Sequence, residues 1–441
     1  MTGDGGDDEA GVATPPLTAW TALAILALFY VLSALDRGLF ALMSPSIQKS
    51  IHLSDVQLSL LQGVAFSLFF GVAGLPIGWA ADRFSRRWVI FLGVIVWSIS
   101  TAATGLASTF LTLFLPRAGI GAGEASLTPS AQSLLGDLFP RRRLAFAGAV
   151  YGISANVGTG FATIVGGSLL ATLGAAGGLT LPFLGHLLPW QAACIILGLP
   201  GVLLAWLAFL IHEPRRQLPA AARAEASTWG DLAAFVAREP RLVILHMLGF
   251  PVAAVAIYTT GAWTPIYLTR LHHMGIAEIG VVLGLTTGVL GIAGNLIAGA
   301  VCDWLTRRGV QDAYYRMGVV TYIIATPAGV LAFVTGSTPL AIAGLAVFVL
   351  IGSCFAGSST ASLNLITPPR LRGKVFACFW LWMAAMGAMG PLAAATLTQQ
   401  VFHDPMKIGW SVAIVLGVCM PLAALALGQN MAAFRRVARV N

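Results

Sequence analysis

Twelve long apolar runs, divided by short loops, leave this chain few ways to fold. A helix needs about 20 predominantly apolar residues to cross the hydrocarbon of a bilayer. Stretches of that length fall at 18–44, 57–80, 88–108, 110–138, 145–172, 190–211, 241–270, 276–302, 315–336, 338–366, 373–400 and 407–428. In lipid a segment must satisfy its own backbone N–H and C=O groups, so these runs read as helices. Charge content agrees: 57% of the 441 residues are apolar and only 10% charged, with a mean hydropathy of +0.84. A soluble domain carries about 25% charged residues. The expected fold class is therefore an all-α integral membrane protein with twelve transmembrane helices.

The formal charge of +8 raises the question of nucleic acid, but the basic residues are spread in short clusters between spans. That is the arrangement of the positive-inside rule, not of a nucleic-acid surface. Arg83, Arg86 and Arg87 lie between spans 2 and 3; Arg141, Arg142 and Arg143 between 4 and 5; Arg215, Arg216, Arg223, Arg238 and Arg241 between 6 and 7. Arg307, Arg308 and Arg316 follow span 8, Arg370, Arg372 and Lys374 follow span 10, and Arg435, Arg436 and Arg439 end the chain. The other side holds only Lys49, Arg270 and Lys407, so the tally is 20 against 3. Both termini are expected in the cytosol. The scarcity of lysine beside arginine points to a GC-rich bacterial gene, hence to a multi-pass protein of a bacterial inner membrane. The acidic stretch Met1–Pro16 has no basic n-region of a signal peptide and reads as a disordered cytosolic tail. The five cysteines fall in or beside apolar runs without zinc-like spacing. No metal or other cofactor is expected.

Internal repetition divides the chain. Gly78-Trp-Ala-Ala-Asp82-Arg83-Phe-Ser-Arg86-Arg87 follows span 2, and Gly299-Ala-Val-Cys-Asp303-Trp-Leu-Thr-Arg307-Arg308 follows span 8, an offset of 221. Pro140-Arg141 through Phe146-Ala147 recurs as Pro369-Arg370 through Phe376-Ala377, an offset of 229. Two unrelated motifs at nearly one offset indicate duplicated halves. The expected organisation is a tail at 1–16, six-helix bundles at 17–212 and 241–428, a cytosolic linker at 213–240, and a basic tail at 429–441. Substrate sites in such folds lie near the bilayer midplane between the halves.

At these residues the chain resembles the major facilitator superfamily, whose loop 2–3 motif matches Gly78–Arg87. A narrower resemblance is to the Spinster family, carried by Leu35-Asp36-Arg37, by Arg117-x-Gly-x-Gly-x-Gly123-Glu124-Ala125 and by Asp137-Leu138-Phe139-Pro140. It is strongest in the first half. The resemblance implies alternating access and transport of lysolipids or related amphiphiles such as sphingosine-1-phosphate. One departure is Trp304, which stands in the second motif where the first has Arg83.

Subtracting the loop arginines and lysines leaves Arg37 and Arg117 inside spans, where Asp36 and Glu124 are the accompanying acids. Charges at the bilayer centre are costly and should be paired or line a water-filled cavity. Arg117 and Glu124 are seven residues apart, on one face of span 4 and about 10 Å apart along its axis. Asp36 and Arg37 diverge by roughly 100°, so at most one points straight into a cavity. The functional expectation is that Asp36 and Glu124 couple protons while Arg37 and Arg117 hold an anionic group bidentately. The structural alternative is a static ion pair between spans 1 and 4. Gly78, Asp82, Arg83, Arg86, Arg87, Asp137 and Asp303 are the candidates for a cytosolic gate, against a purely topogenic basic loop. Gly158-x-x-x-Ala162-Thr163-x-x-Gly166-Gly167 in span 5 resembles a degenerate antiporter motif, against close packing by small residues. The second half offers only polar and aromatic candidates: Tyr258, Thr260, Trp263, Asn295, Ser358, Asn364, Trp380 and Trp382.

The expected protein is a monomeric, proton-coupled secondary transporter of an anionic amphiphile, its partners being protons, that substrate and the bilayer. A facilitator of a sugar or small polar metabolite in the same fold, and a channel or scramblase, are the other readings. No Ser-His-Asp, zinc or paired-carboxylate constellation supports an enzyme, and Gly119, Gly121 and Gly123 follow no strand that would make them a nucleotide loop.

Overall fold

The computed structural model describes residues 16–214 and 228–438. The N-terminal tail up to residue 15 and residues 215–227 of the linker expected from the sequence lie outside the described residues.

Twelve spans cross the molecule, numbered here α1–α12. The first half comprises α1 (Leu17–Ile51), α2 (Asp55–Ser59, a π-helical turn Leu60–Val64, then Ala65–Arg83), α3 (Arg86–Thr104), α4 (Phe110–Glu124 and Leu127–Leu138), α5 (Arg141–Ala175) and α6 (Pro189–Leu204 with a 3-10 end Ala205–Leu210). The second comprises α7 (Pro240–His272), α8 (Ile276–Gly284, a π turn Leu285–Leu290, then Gly291–Arg307), α9 (Ala313–Val334), α10 (Thr338–Gly352 and Phe355–Ile366), α11 (Arg372–Thr396 with a π end Leu397–Val401) and α12 (Ile408–Ala438). A two-stranded hairpin, Leu179–Leu181 with Gly185–Leu187, lies between α5 and α6. An amphipathic linker helix, Trp229–Arg238, precedes α7. The Thr228 hydroxyl caps it by accepting from the Asp231 backbone N–H, and the Thr228 N–H donates in return to the Asp231 carboxylate.

Eleven of these spans are long and apolar enough to cross a membrane as they stand. The remaining one, α4, is interrupted at Ala125–Ser126, where the sequence suggested one helix over 110–138. Ser126 turns its hydroxyl back onto the Gly123 carbonyl at 2.8 Å, the local competition by which serine loosens a helix. The same break recurs in α10 at Ser353–Cys354, 228 residues on (353 against 125). The π turns of α2 and α8 also correspond, 225 residues apart at their starts (285 against 60). So do the left-handed histidines that end α1 and α7, His52 and His273, 221 apart. Duplication is thus visible in backbone irregularities as well as in motifs. α12 also runs on through most of the stretch expected to be a tail.

The halves meet along two seams, α5 against α8 and α2 against α11. Both are tight because glycine lets backbones approach: a Cβ at Gly280 would strike the Thr163 carbonyl, and one at Gly63 the Ala388 carbonyl, at 2.7 Å. These contacts lie towards the end of the molecule that is poor in basic residues. At the arginine-rich end Gly78 and Gly299 face open space. The bundles are therefore closed at the charge-poor end and parted at the arginine-rich end.

Candidate functional site

Asp36 and Arg37 lie on α1 directly across from the end of α4's first segment. Arg37 Nη1 donates to Glu124 Oε2 at 2.5 Å, and Ser33 Oγ donates to the same oxygen at 2.7 Å. Glu124 is fully buried and is the last residue before the α4 break, so helix geometry, not loop flexibility, fixes it. Its other oxygen, Oε1, has no hydrogen-bond partner among the described residues. Half of this carboxylate is thus committed to Arg37 and half is unsatisfied, which is costly in an apolar interior.

Arg37 keeps a third of its side chain exposed, whereas Asp36 is buried. The divergence expected from helical spacing is realised in that difference. Arg117, 3% exposed, does not reach Glu124; its Nε donates to the Leu61 carbonyl in the π turn of α2, at 3.4 Å. Its guanidinium lies 4.0 Å from the centre of the Phe40 ring. Asp36, Arg37, Arg117 and Glu124 lie close enough to act on one another electrostatically as one group, with Thr101 of α3 beside Asp36 and its hydroxyl donated to the Trp97 carbonyl at 3.0 Å. Across from Arg37, Tyr258 of α7 feels its charge and is half exposed although it sits mid-span. Tyr30 stacks on Tyr151 beside it, with centroids 4.6 Å apart.

The loop 2–3 residues divide. Arg86, 1% exposed at its side chain, donates to Asp137 Oδ2 at 2.5 Å, to Ser133 at 2.9 Å and to Glu213 Oε1 at 3.2 Å. Glu213 also accepts from the Arg86 backbone N–H at 2.7 Å and from Ser85, so it caps the N-terminus of α3. Burial works to raise this carboxyl, but the bonds from Ser85 and Arg86 outweigh it and hold it below its usual range. In this conformation Arg86 and Asp137 bind the first half to itself and do not reach the second. Arg83 is exposed over the Trp79 ring at 4.6 Å, and Arg308 lies over Trp304 at 4.1 Å. The Trp–Arg stack thus recurs despite the Trp304 departure. Asp303 is exposed, Arg87 reaches Glu213 at 3.4 Å, and Asp82 is on α2 with its side chain outside the described residues.

The span 5 glycines serve packing. Gly158 lies against Val31 and Ala34 of α1, and Gly167 against Gly280 of α8. Of the second-half candidates, Trp263 donates to the Pro391 carbonyl at 3.0 Å and Trp382 to the Met247 carbonyl at 3.0 Å. Thr260, Ser358 and Asn295 bond to carbonyls of their own helices, and Asn364 and Trp380 are exposed.

Two groupings escaped the sequence reading. Arg270 of α7 forms a forked pair with Asp55 of α2, at 2.6 and 3.1 Å, and bonds Gln48 of α1 at 2.7 Å. It joins the halves at the charge-poor end. Asp55 and Arg270 are 215 residues apart and each looks like an ordinary loop charge, so nothing local flagged them. His246, fully buried in α7, shares a 2.8 Å hydrogen bond with Tyr315 of α9, which also receives Asn430 of α12 at 3.3 Å. A lone histidine in an apolar run was the available signal.

Twelve spans in two repeated halves, parted at one end around a buried charged group, define a membrane transporter of small molecules. The chain belongs to the Major Facilitator Superfamily, whose family model matches residues 26–391. It is 28% identical over 426 residues to an MFS-type efflux pump of Mycolicibacterium smegmatis, covering 96% of this chain and 94% of that one. A probable L-galactonate transporter of Escherichia coli is 24% identical over 430 residues, 88% of this chain and 91% of its own. Protein spinster homolog 3 of Danio rerio is 26% identical over 361 residues, 78% of this chain and 69% of its own. The crystal structure of a bacterial homolog of the human lysosomal transporter Spinster, inward-facing and unoccupied, shares the fold with a TM-score of 0.74 at 23% identity, covering 97% of this chain and 98% of that one. Within the superfamily the chain resembles the Spinster group.

Proposed function

We propose that the protein moves an anionic amphiphile, a lysolipid or similar molecule, by proton-coupled alternating access. The observation that carries this reading is the asymmetry of the inter-bundle site. Its first-half wall presents Arg37, backed by Arg117, while the facing α7 presents the uncharged Tyr258. An anionic head suits the first wall and a hydrocarbon tail the second.

With Asp36 and Glu124 ionised, two acids balance two arginines and the group is formally neutral. One proton on Glu124 leaves the group at +1 and frees Arg37, which then has a fork for a phosphate or carboxylate. Proton and anion would thus enter together, because each alone strands a charge in a medium that penalises it. Asp36 and Glu124 are the coupling acids in this scheme, and Arg37 and Arg117 the substrate's partners. The arginine-rich end is assigned to the cytosol by the positive-inside rule, with both termini and the linker on that side. The opening at that end is then an inward-facing state. Gly78, Arg83 and Asp303, with Asp82 of the same motif, would close it in the opposite state, while Arg86, Arg87 and Asp137 would keep their half rigid.

The resemblance to the Spinster family favours a lipid-like substrate, while the galactonate relative favours a small sugar acid, whose carboxylate the same arginines would hold. A chain-length series separates them. Protein in lipid nanodiscs is titrated with lysophosphatidic acids of increasing chain length, with monoacylglycerols and with galactonate, monitoring thermal stabilisation. Affinity should rise with each CH₂ by up to about 0.8 kcal/mol and drop when the phosphate is removed. The phosphate effect should vanish in Arg37→Ala. Strong binding of galactonate with indifference to chain length would overturn the amphiphile reading.

A further inference from the structure

Arg117 is a buried cation without a close carboxylate. Among the described residues no acid lies within ion-pair distance of it, and its one hydrogen bond, to the Leu61 carbonyl, is long at 3.4 Å. Aromatic rings surround it instead. Its Cζ is 4.0 Å from the centre of Phe40 on α1 and 5.5 Å from that of Phe66 on α2. Phe66 also takes Arg37, at 5.7 Å, so one ring serves both guanidiniums. All three distances are within the range at which a ring's quadrupole attracts a cation.

Two local features of the backbone make this contact. The π turn at Leu60–Val64 inserts a residue into α2 and rotates the remainder of the helix, which turns Phe66 and the Leu61 carbonyl towards α4. Gly121 then lets α4 approach, because a Cβ there would collide with the Phe66 carbonyl. Phe40 and Phe66 are themselves buried, at 3% and 8% exposure.

We propose that Phe40 and Phe66 are positioning residues: together they hold Arg117 in the apolar interior in place of a carboxylate, and Phe66 also supports Arg37 beside its Glu124 pair, so that the Arg117 charge stays available to the substrate's anion. The inference rests on the anion-binding reading given above. A carboxylate would stabilise Arg117 more strongly but would also cancel it. A ring attracts the cation while offering no formal negative charge and no hydrogen-bond acceptor that would occupy the guanidinium fork. If the rings weaken, the guanidinium turns towards Asp36 or Glu124, and the site loses positive charge.

Ring electrons can be varied at nearly constant volume by incorporating mono-, di- and trifluorophenylalanine at Phe40, and separately at Phe66, in the full chain in nanodiscs. Dodecyl phosphate and dodecanol are the probes, read by calorimetric titration. Affinity for dodecyl phosphate should fall stepwise with fluorine number, by roughly fivefold across the series, while dodecanol affinity stays level. Phe40→Leu should lose the preference for phosphate over alcohol. A packing role alone would leave the phosphate-to-alcohol ratio flat across the fluorinated series. That flat result, with Arg117→Ala still abolishing the preference, would overturn the positioning role and leave the anion site standing. Retention of the preference in both Arg37→Ala and Arg117→Ala would overturn the anion site together with it.

Discussion

Glu124 concentrates the chemistry at the scale of single residues. One oxygen is held by Arg37 and Ser33, and the other has no partner among the described residues. A proton on this group would dissolve the Arg37 pair without moving the backbone. Glu124→Gln and Asp36→Asn are expected to abolish pH-driven uptake into proteoliposomes while the protein remains folded. Were the group a static pair, each neutralisation would strand a buried charge and cost roughly 3–5 kcal/mol. A large fall in thermal stability with an intact pH profile in the surviving protein is the result that would defeat the coupling role. These four residues were legible in the sequence because charge inside an apolar run is conspicuous. What was not legible is which acid pairs with which arginine. Helical spacing ruled out an Arg117–Glu124 contact and left an ion pair between spans 1 and 4 as one alternative, without choosing its members.

At the scale of elements, the two ends of the bundle interface are built differently. The charge-poor end is held by glycine seams and by the Arg270–Asp55–Gln48 cluster, where Gln48 also donates to Asp55 at 2.5 Å. The α1–α7 pseudosymmetry places Lys49 opposite Arg270 in the repeat (270 against 49), and Ile276 opposite Asp55 (276 against 55), so the cluster has no repeat counterpart. Breaking it should favour the state open at that end. With spin labels at the exposed Ser108 and Ser337, in a background without native cysteines, Arg270→Ala and the nearly isosteric Asp55→Asn should each add a longer distance to the distribution. Arg270→Glu, which sets two acids face to face, should add more of it. Distributions identical to the parent in all three would show that the cluster does not bias the gate. The breaks in α4 and α10 belong to this scale too. The sequence showed uninterrupted apolar runs there, and only the hydroxyl of Ser126 turning onto Gly123 reveals why α4 yields just beyond its buried acid.

At the scale of the whole molecule, the arginine asymmetry predicts orientation. Single cysteines at Thr306 and Ser337, both exposed and at opposite ends, should differ in reaction with an impermeant maleimide applied to intact cells. Ser337→Cys should react and Thr306→Cys should not; the reverse pattern would invert the topology and with it the assignment of the opening. The number of spans, the duplication and the identity of the four charges at mid-span were determined by the sequence alone. Each comes from a property carried along the chain: apolar length against bilayer thickness, repeated spacing, and the penalty on charge in hydrocarbon. Only the tertiary structure decided that Glu124 takes Arg37 while Arg117 rests on phenylalanine rings, that Arg86 is bound within its own half, and that Arg270 bridges the halves. Those choices depend on which faces of distant helices meet, and a chain whose spans are apolar nearly all round carries little periodicity from which to read them.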